Sequence, residues 1–380
     1  MSCRVLHIIT GLATGGAEMM LYKLLRAGGP VEPWVVSLMD EGTLGPRIRE
    51  LGVPLLTLDL RAGRPTPQAM WRLRRHYRAV RPDVVQGWMY HGNLAAVVAV
   101  AGNPPRCPVV WNIRQTLYDI MHERRLTRTV IRLNAILSRG ARAIVFNSDT
   151  SLRQHVALDF CAERCRIIPN GFDTESYRPD AGVRARVRAD LDVDDSKVLI
   201  GMVARAHPMK DHSTFLRAAS RLVERRPQAR FVLAGQGVDA ENAALVCEVA
   251  DLGLQPYVRM IGACADPSQL LPALDLLCLS SAWGDAFPNV VGEAMACGVP
   301  CVVTDVGDAA RIVGETGRVV PPRRPEALAS ALEDLVAMDE GQRQTLGQAA
   351  RARVQERFAL EDVARQYESL YLELGGHVRD

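Results

Sequence analysis

The sequence predicts an α/β protein built from two Rossmann-like β/α/β halves facing each other across a cleft. Three observations carry that prediction. Short apolar runs alternate with amphipathic segments along all 380 residues, the rhythm of parallel strands joined by crossover helices. The rhythm runs through twice, with Pro169-Asn170-Gly171-Phe172 and Tyr177-Arg178-Pro179 as punctuation between the passes. Loops rich in glycine or charge follow the first strand of each pass, where sheets of this kind bind ligands.

In the first pass, segments 5–9, 35–38, 55–58, 84–85, 109–111 and 143–146 read as strands. Helical periodicity marks segments near 17–27, 67–80, 93–101, 120–139 and 150–158. In the second pass, 198–203, 231–234, 258–261, 276–279 and 301–304 read as strands, separated by helices near 212–225, 240–252, 268–274, 289–297 and 325–337. Two further helices, near 341–356 and 360–373, close the chain. The domains are therefore placed at 1–178 and 179–357, with 358–380 as a terminal helical segment.

Composition narrows the function classes. Apolar residues make up 48% of the chain, enough for two buried cores. No run of about 18 apolar residues occurs, so no membrane-spanning helix is expected. The apolar opening, Arg4-Val5-Leu6-His7-Ile8-Ile9, leads straight into a glycine loop and reads as a strand rather than a signal peptide. Nine scattered cysteines lack the spacing of a zinc site or a disulfide frame, which points to reduced thiols and a cytoplasmic location. Charge is uneven. Residues 1–178 carry 24 Lys and Arg against 14 Asp and Glu, and the remainder 22 against 29, so the first half is the basic one.

The strongest local pattern is Ser280-Ser281-Ala282-Trp283-Gly284-Asp285-Ala286-Phe287-Pro288-Asn289-Val290-Val291-Gly292-Glu293, between two apolar runs. Pro288 suits the start of a helix, and Gly298 with Pro300 ends it. Its first N–H groups, over 288–291, and the positive helix end would face a strand's mouth, a place suited to phosphate. Asp285 and Glu293 bracket that anion site.

Three further strand ends carry candidates. Gly11-Leu12-Ala13-Thr14-Gly15-Gly16-Ala17-Glu18 lacks the G-x-G-x-x-G spacing of a dinucleotide loop. It is either a tight turn or a ligand-facing loop in which Gly15 and Gly16 bare backbone N–H groups to an anion. Ala204-Arg205-Ala206-His207-Pro208-Met209-Lys210-Asp211 can bring Arg205 and Lys210 onto one diphosphate. Gln86-Gly87-Trp88-Met89-Tyr90-His91-Gly92-Asn93 sets His91 at a strand end, and Arg114 closes the next strand.

Two patterns point elsewhere. Asp192-Val193-Asp194 has the D-x-D form of a metal–diphosphate bridge but lies in a polar turn before a strand, so no metal is inferred. Segment 121–142 sets Leu126, Val130, Leu133 and Leu137 on one helical face and Arg125, Arg128, Arg132, Arg139 and Arg142 on the other. It is either a surface helix packed on the sheet or a contact for anionic lipid headgroups or an anionic carrier. No aromatic residues alternate with these arginines, which argues against nucleic acid.

Taken in order, Gly15-Gly16-Ala17-Glu18, Ile168-Pro169-Asn170-Gly171-Phe172-Asp173, Val203-Ala204-Arg205 through Lys210, and Phe287 through Val306 resemble the retaining, GT-B-fold glycosyltransferases of family 4, group 1 type. The resemblance covers essentially the whole chain. It implies transfer of a hexose from a nucleoside diphosphate sugar, with a UDP-sugar favoured and a GDP-sugar as the alternative, with retained configuration and neither metal nor cofactor. It also assigns residues. Gly15, Gly16, Arg205, Lys210, Gly235, Phe287, Pro288, Asn289, Val290 and Glu293 would bind the donor, Glu293 through the ribose hydroxyls. His91, Arg205, Lys210 and Asp285 would act at the reacting centre, with Arg114, Tyr90 and Asn93 on the acceptor side. Segment 358–380 would pack back on the first domain. The resemblance does not fix the acceptor; the basic first half suggests a lipid-linked or anionic hydroxyl compound at the inner face of the membrane, used in cell-surface polysaccharide or glycolipid synthesis.

Two departures bear on substrate choice. Asp285 stands one methylene short of the usual Glu at the head of the family's E-x7-E pattern, where the side chain meets the sugar's distal hydroxyls. Gln86, Trp88 and Gln115 stand where relatives often carry further histidines, so His91 carries that role alone or not at all. The bond to be broken has a diphosphate leaving group, whose growing charge Arg205, Lys210 and the 288–291 helix end would stabilise. The alternatives are a sugar-nucleotide 2-epimerase and a sugar-nucleotide-binding scaffold without turnover. A phosphorylase, which needs a cofactor-bearing lysine, has only Lys23, Lys197 and Lys210 to draw on.

Overall fold

A computed structural model describes residues 3–61, 66–103, 107–118, 120 and 124–376. The chain forms two compact units, Met1–Gly171 with Leu360–Asp380, and Phe172–Ala359.

The first unit runs β1 (Cys3–Ile9), α1 (Gly16–Ala27), β2 (Val31–Ser37), α2 (Gly45–Glu50), β3 (Leu55–Thr57), α3 (Pro67–Val80), β4 (Val84–Trp88), α4 (Met89–Val100), β5 (Val109–Ile113), α5 (Arg125–Leu137), β6 (Ala143–Phe146), α6 (Asp149–Val156) and β7 (Cys165–Ile167). The strands form a parallel sheet in the order β3-β2-β1-β4-β5-β6-β7. Its order reverses between β1 and β4, which makes that edge the place for a ligand. Alternation along β1 sorts its side chains into two cores. Val5 and Ile9 pack with α1, whereas Leu6 and Ile8 pack with α3, α4 and α5.

The second unit runs α7 (Ala181–Asp190), β8 (Val198–Val203), α8 (His212–Arg225), β9 (Ala229–Ala234), α9 (Ala243–Asp251), β10 (Val258–Met260), β11 (Leu276–Leu279), α10 (Asn289–Ala296), β12 (Cys301–Thr304), α11 (Ala309–Val313), β13 (Arg318–Val320), α12 (Pro325–Val336) and α13 (Glu340–Arg357). Its sheet is parallel in the order β10-β9-β8-β11-β12-β13, with the reversal between β8 and β11. One core fills the unit from Phe172 to Phe358. The chain then returns to the first unit as α14 (Leu360–Gly376), whose stripe of Leu360, Val363, Tyr367, Leu370, Tyr371 and Leu374 completes the core around Val5 and Ile9.

Several elements differ from the sequence reading. The first unit ends at Gly171, seven residues short of the expected 178. The reason is Phe172, which is fully buried in the second unit's core and whose N–H donates to Phe358 O at 2.8 Å. The helix expected over 268–274 is two short 3-10 turns, Pro267–Gln269 and Leu271–Ala273, because Pro272 has no N–H to continue an α-helix. Helix α5 is rotated from its expected phase. Ile131, Asn134 and Ala135 face the core, while Leu126, Leu133 and Ile136 stand exposed at 72%, 41% and 75%. Asn134 sets that phase, since its amide donates to Tyr90 O at 3.2 Å. Residues 121–123 of the expected helix lie outside the described residues. Among the described residues no helix is long and apolar enough to cross a membrane.

Candidate functional site

Two loops flank the reversal point of the second sheet. In the loop after β8, the Arg205 guanidinium stands exposed and donates to the Met209 sulfur at 3.6 Å. No carboxylate among the described residues pairs with it. His207 Nδ1 accepts from Met209 N at 3.2 Å and so caps the turn Pro208–Lys210. The turn ends at Asp211, held in the left-handed region at φ 50°, whose carboxylate caps α8 by accepting from Thr214 N at 3.1 Å. Ser280, fully buried just past β11, places its hydroxyl 3.0 Å from the carbonyls of both Lys210 and Asp211. Ala282 N donates to Met209 O at 2.8 Å. These bonds fasten one loop to the other.

The result is a close ion pair. Lys210 Nζ donates to both Asp285 oxygens at 2.6 and 2.7 Å, and Ser281 Oγ donates to Asp285 Oδ2 at 2.5 Å. The two charged side chains are 15% and 12% exposed, which strengthens the bonds over those of a surface pair. The carboxylate expected to meet a sugar therefore has both oxygens engaged by the protein. Ser281 was not among the residues singled out from sequence; its position four before Asp285 was the available signal.

Helix α10 opens from the same loop. Pro288 stands one residue before it as the N-cap, and Val291 N–H already bonds Pro288 O at 3.2 Å. Phe287 is buried, its ring stacked on Phe172 at 6.0 Å between centroids, so its side chain anchors the loop backbone. Asn289 and Val290 are half-buried, and Glu293 is 8% exposed. At the far end of the helix, Arg351 donates to Ala296 O and, at 3.0 Å, to Thr174 O and Tyr177 O. That cation complements the negative helix end. Gly235, assigned above to the donor, also meets a steric requirement. Its N–H is bonded to Gly262 O at 2.7 Å, and a Cβ there would lie 2.2 Å from Ala204 O, so glycine serves the close approach of two loops.

In the first unit, Gly15 is the N-cap of α1 and Gly16 its first residue. A Cβ on Gly16 would meet no protein atom within 4 Å, and one on Gly15 would first meet the Glu18 carboxylate, whose pKa burial raises. Packing does not call for glycine at 16. The space beside it, at the helix end, is open. Across the reversal point, Met89 starts α4 at φ 60°, a strained conformation of the kind found at functional turns. His91 projects from this first turn with its edge exposed, yet its surroundings desolvate the ring enough to hold its pKa below the ordinary histidine value.

The three acceptor-side candidates do not join His91. Tyr90 is 3% exposed, and its hydroxyl lies 2.7 Å from His155 Nε2 in the core. Asn93 is fully buried, with its amide donating to Gly87 O and Met89 O. Both sit on the face of α4 that packs on the sheet. Arg114 is a latch: it donates to Asn112 Oδ1 at 3.0 Å, to the Tyr367 hydroxyl of α14 at 2.8 Å and to Asn170 Oδ1. Asp192 and Asp194 lie in the turn before β8, where Asp194 accepts from Ser196 N at 2.7 Å.

Residues 14–176 match the family described as Glycosyltransferase Family 4, and residues 183–353 the family described as Glycosyl transferases group 1. The D-inositol 3-phosphate glycosyltransferase of Rhodococcus erythropolis is 31% identical over 211 residues, which cover 53% of this chain and 47% of that protein. The protein of the same name from Corynebacterium jeikeium is 30% identical over 255 residues, 63% of this chain and 59% of the other. The chain thus spans about half the length of these curated relatives. Among solved structures, Anabaena HepE in complex with UDP and glucose matches with a TM-score of 0.81 at 22% identity, over 98% of this chain and 100% of that one. A likeness at that identity shows the fold, and the fold is GT-B.

Proposed function

Because the chain belongs to the group 1, family 4 glycosyltransferases, we propose that it moves a hexose from a nucleoside diphosphate sugar to a hydroxyl acceptor, with retention at the anomeric carbon. The observation that carries this reading is the gathering of cationic groups at the reversal point of the second sheet, with Arg205 unpaired by a carboxylate among the described residues and Lys210 held by Asp285. Arg205, Lys210 and the opening of α10 all lie there, on loops bonded to one another. A diphosphate leaving group gathers charge as the glycosidic bond breaks, and fixed cations and helix dipoles stabilise that charge best. Three protein-borne positive groups can do this without a divalent metal. Glu293, on the second turn of α10, is assigned to the donor ribose, and His91 to the sugar at the reacting centre. UDP is the favoured nucleotide, a reading supported by the UDP and glucose bound in the Anabaena protein.

The Gly15-Gly16 turn is assigned to an anionic group of one of the two substrates. Gly16→Val should leave the melting temperature unchanged, since the added side chain meets open space, and should raise KM for donor or acceptor about tenfold. An unchanged KM for both would remove the turn from the site.

The acceptor reading is a hydroxyl compound with an anionic group, met at a membrane surface in polysaccharide or glycolipid synthesis. The excess of basic residues in 1–178 supports it, as do relatives named for D-inositol 3-phosphate. Helix α5 supports the membrane part, because exposed Leu126, Leu133 and Ile136 stand beside Arg125, Arg132 and Arg139. Vesicles rich in phosphatidylglycerol should bind the protein at low salt, and the variant Leu126→Gln/Leu133→Gln/Ile136→Gln should bind about tenfold more weakly or worse. Equal binding by the two proteins would exclude α5 as the contact.

A further inference from the structure

We propose that the first unit carries a second ligand site, a cavity between α1 and α14 that takes a compact, uncharged, largely apolar molecule presenting one hydrogen-bond acceptor. The cavity measures about 410 Å³, within the size range of small-molecule pockets. Leu24 and Leu25 of α1, Val53, and Tyr367 and Tyr371 of α14 supply apolar and aromatic parts of its wall. It also touches the end of α1 at Gly28 and the start of β2 at Val31, the amino edge of the sheet. Gly16 and His91 stand at the opposite, carboxyl edge, so the cavity is separate from the substrate turns.

His7 of β1 supplies the polar feature. It lines the cavity and is 3% exposed. Trp88 Nε1 donates to His7 Nδ1 at 3.3 Å. An indole nitrogen can only donate, so Nδ1 must accept, and the proton of the neutral ring sits on Nε2. Burial pushes the His7 pKa down to about 3, which keeps the ring neutral at physiological pH. Among the described residues nothing accepts from Nε2–H. Neither neighbouring hydroxyl accepts it: Tyr371 OH donates to Gln86 Oε1 at 2.5 Å and makes no hydrogen bond with His7, and Tyr367 OH accepts from Asn112 Nδ2 and Arg114 Nη1, each at 2.8 Å. A buried donor without a partner favours an occupant that brings an acceptor.

The remaining walls set the rest of the chemistry. Aliphatic and aromatic carbon asks for an apolar body. Glu32 and Glu368 stand at the rim and disfavour an anion, even with Glu32 paired to Arg4 at 3.1 Å. Tyr367 belongs both to the cavity wall and to the Arg114 latch, so an occupant bears on how firmly α14 is seated.

Benzophenone and diphenylmethane test the site, because they share a shape and differ by the carbonyl that His7 would bind. Titrated into the full-length protein, benzophenone should bind about 3- to 10-fold more tightly than diphenylmethane, the worth of one hydrogen bond. Binding should slow amide exchange in α14, and irradiation should attach benzophenone to peptides carrying Leu25, Val53 or Tyr367. His7→Phe should erase the preference for the ketone while still binding the hydrocarbon. Ala364→Phe, which puts a ring into the cavity and leaves His7 in place, should block both probes. Equal affinity of the wild type for the two probes, attachment elsewhere, or no binding at the solubility limit would each overturn the proposal, and none of these depends on a variant folding.

Discussion

Lys210→Ala lowers kcat by about 10²–10³ with a folded protein, the loss expected when one fixed charge is removed from a developing anion. The size of the effect follows from the position of the side chain. Lys210 is held by its turn, by the Ser280 hydroxyl on its carbonyl and by Asp285 on its Nζ, so it is already aimed before a substrate arrives. Preorganisation of this kind is what gives a cation catalytic weight. Alanine leaves Asp285 with Ser281 as its remaining partner in that pair, which costs stability as well as rate. The double variant Lys210→Met/Asp285→Asn removes both charges together and separates the two effects. It should recover the melting temperature and stay slow. Lys210→Arg keeps the charge but replaces a point donor with a planar fork, so its rate should fall between those of the wild type and Lys210→Ala. Turnover by Lys210→Ala within a few-fold of the wild type would remove the lysine from catalysis.

Phe172→Ala lowers the melting temperature of the second unit by about 6–20 °C, as followed by calorimetry. Phe172 is fully buried, stacks on Phe287 at 6.0 Å and meets Phe358 edge-on at 6.4 Å between centroids. Deleting such a ring costs about 3–5 kcal/mol, and a unit of this size loses about 2–4 °C per kcal/mol. The same ring lies under α10, since a Cβ on Gly292 would fall 2.1 Å from it. The cavity left behind would therefore loosen both Phe287 and α10, so kcat should fall as well. Phe172→Leu, which refills most of the space, should show a smaller loss of both. A melting temperature within about 2 °C of the wild type in Phe172→Ala would show that the ring is not the keystone of the loop.

Much of the fold was legible in the sequence because its parallel strands are short apolar runs set between amphipathic helices. The strands that escaped, β7 and β13, are three residues long, although β3 and β10 are equally short and were legible. Helices α2 and α11, of six and five residues, escaped too, as did the ten-residue α7, whose four-residue spacing of apolar side chains is diluted by three arginines. The loops bearing candidate residues were legible too, because each directly follows a strand. The direction of individual side chains was not. Tyr90 and Asn93 flank His91 in sequence, but the helix turns them onto the sheet. Arg114 looked free to meet a ligand, and its partner Tyr367 lies 253 residues away in the chain. The phase of α5 was misread for a related reason: a polar residue, Asn134, holds the inward face through a hydrogen bond that an apolar count does not see.

The most direct test of glycosyl transfer is acceptor-free hydrolysis of UDP- and GDP-hexoses by the purified protein, with released hexose as the readout. Slow release of free sugar from at least one donor, greatest for a UDP-hexose and lost in Lys210→Ala, is the predicted result. Saturable binding of these donors with no hexose released from any of them would contradict catalysis and leave a sugar-nucleotide-binding scaffold in its place.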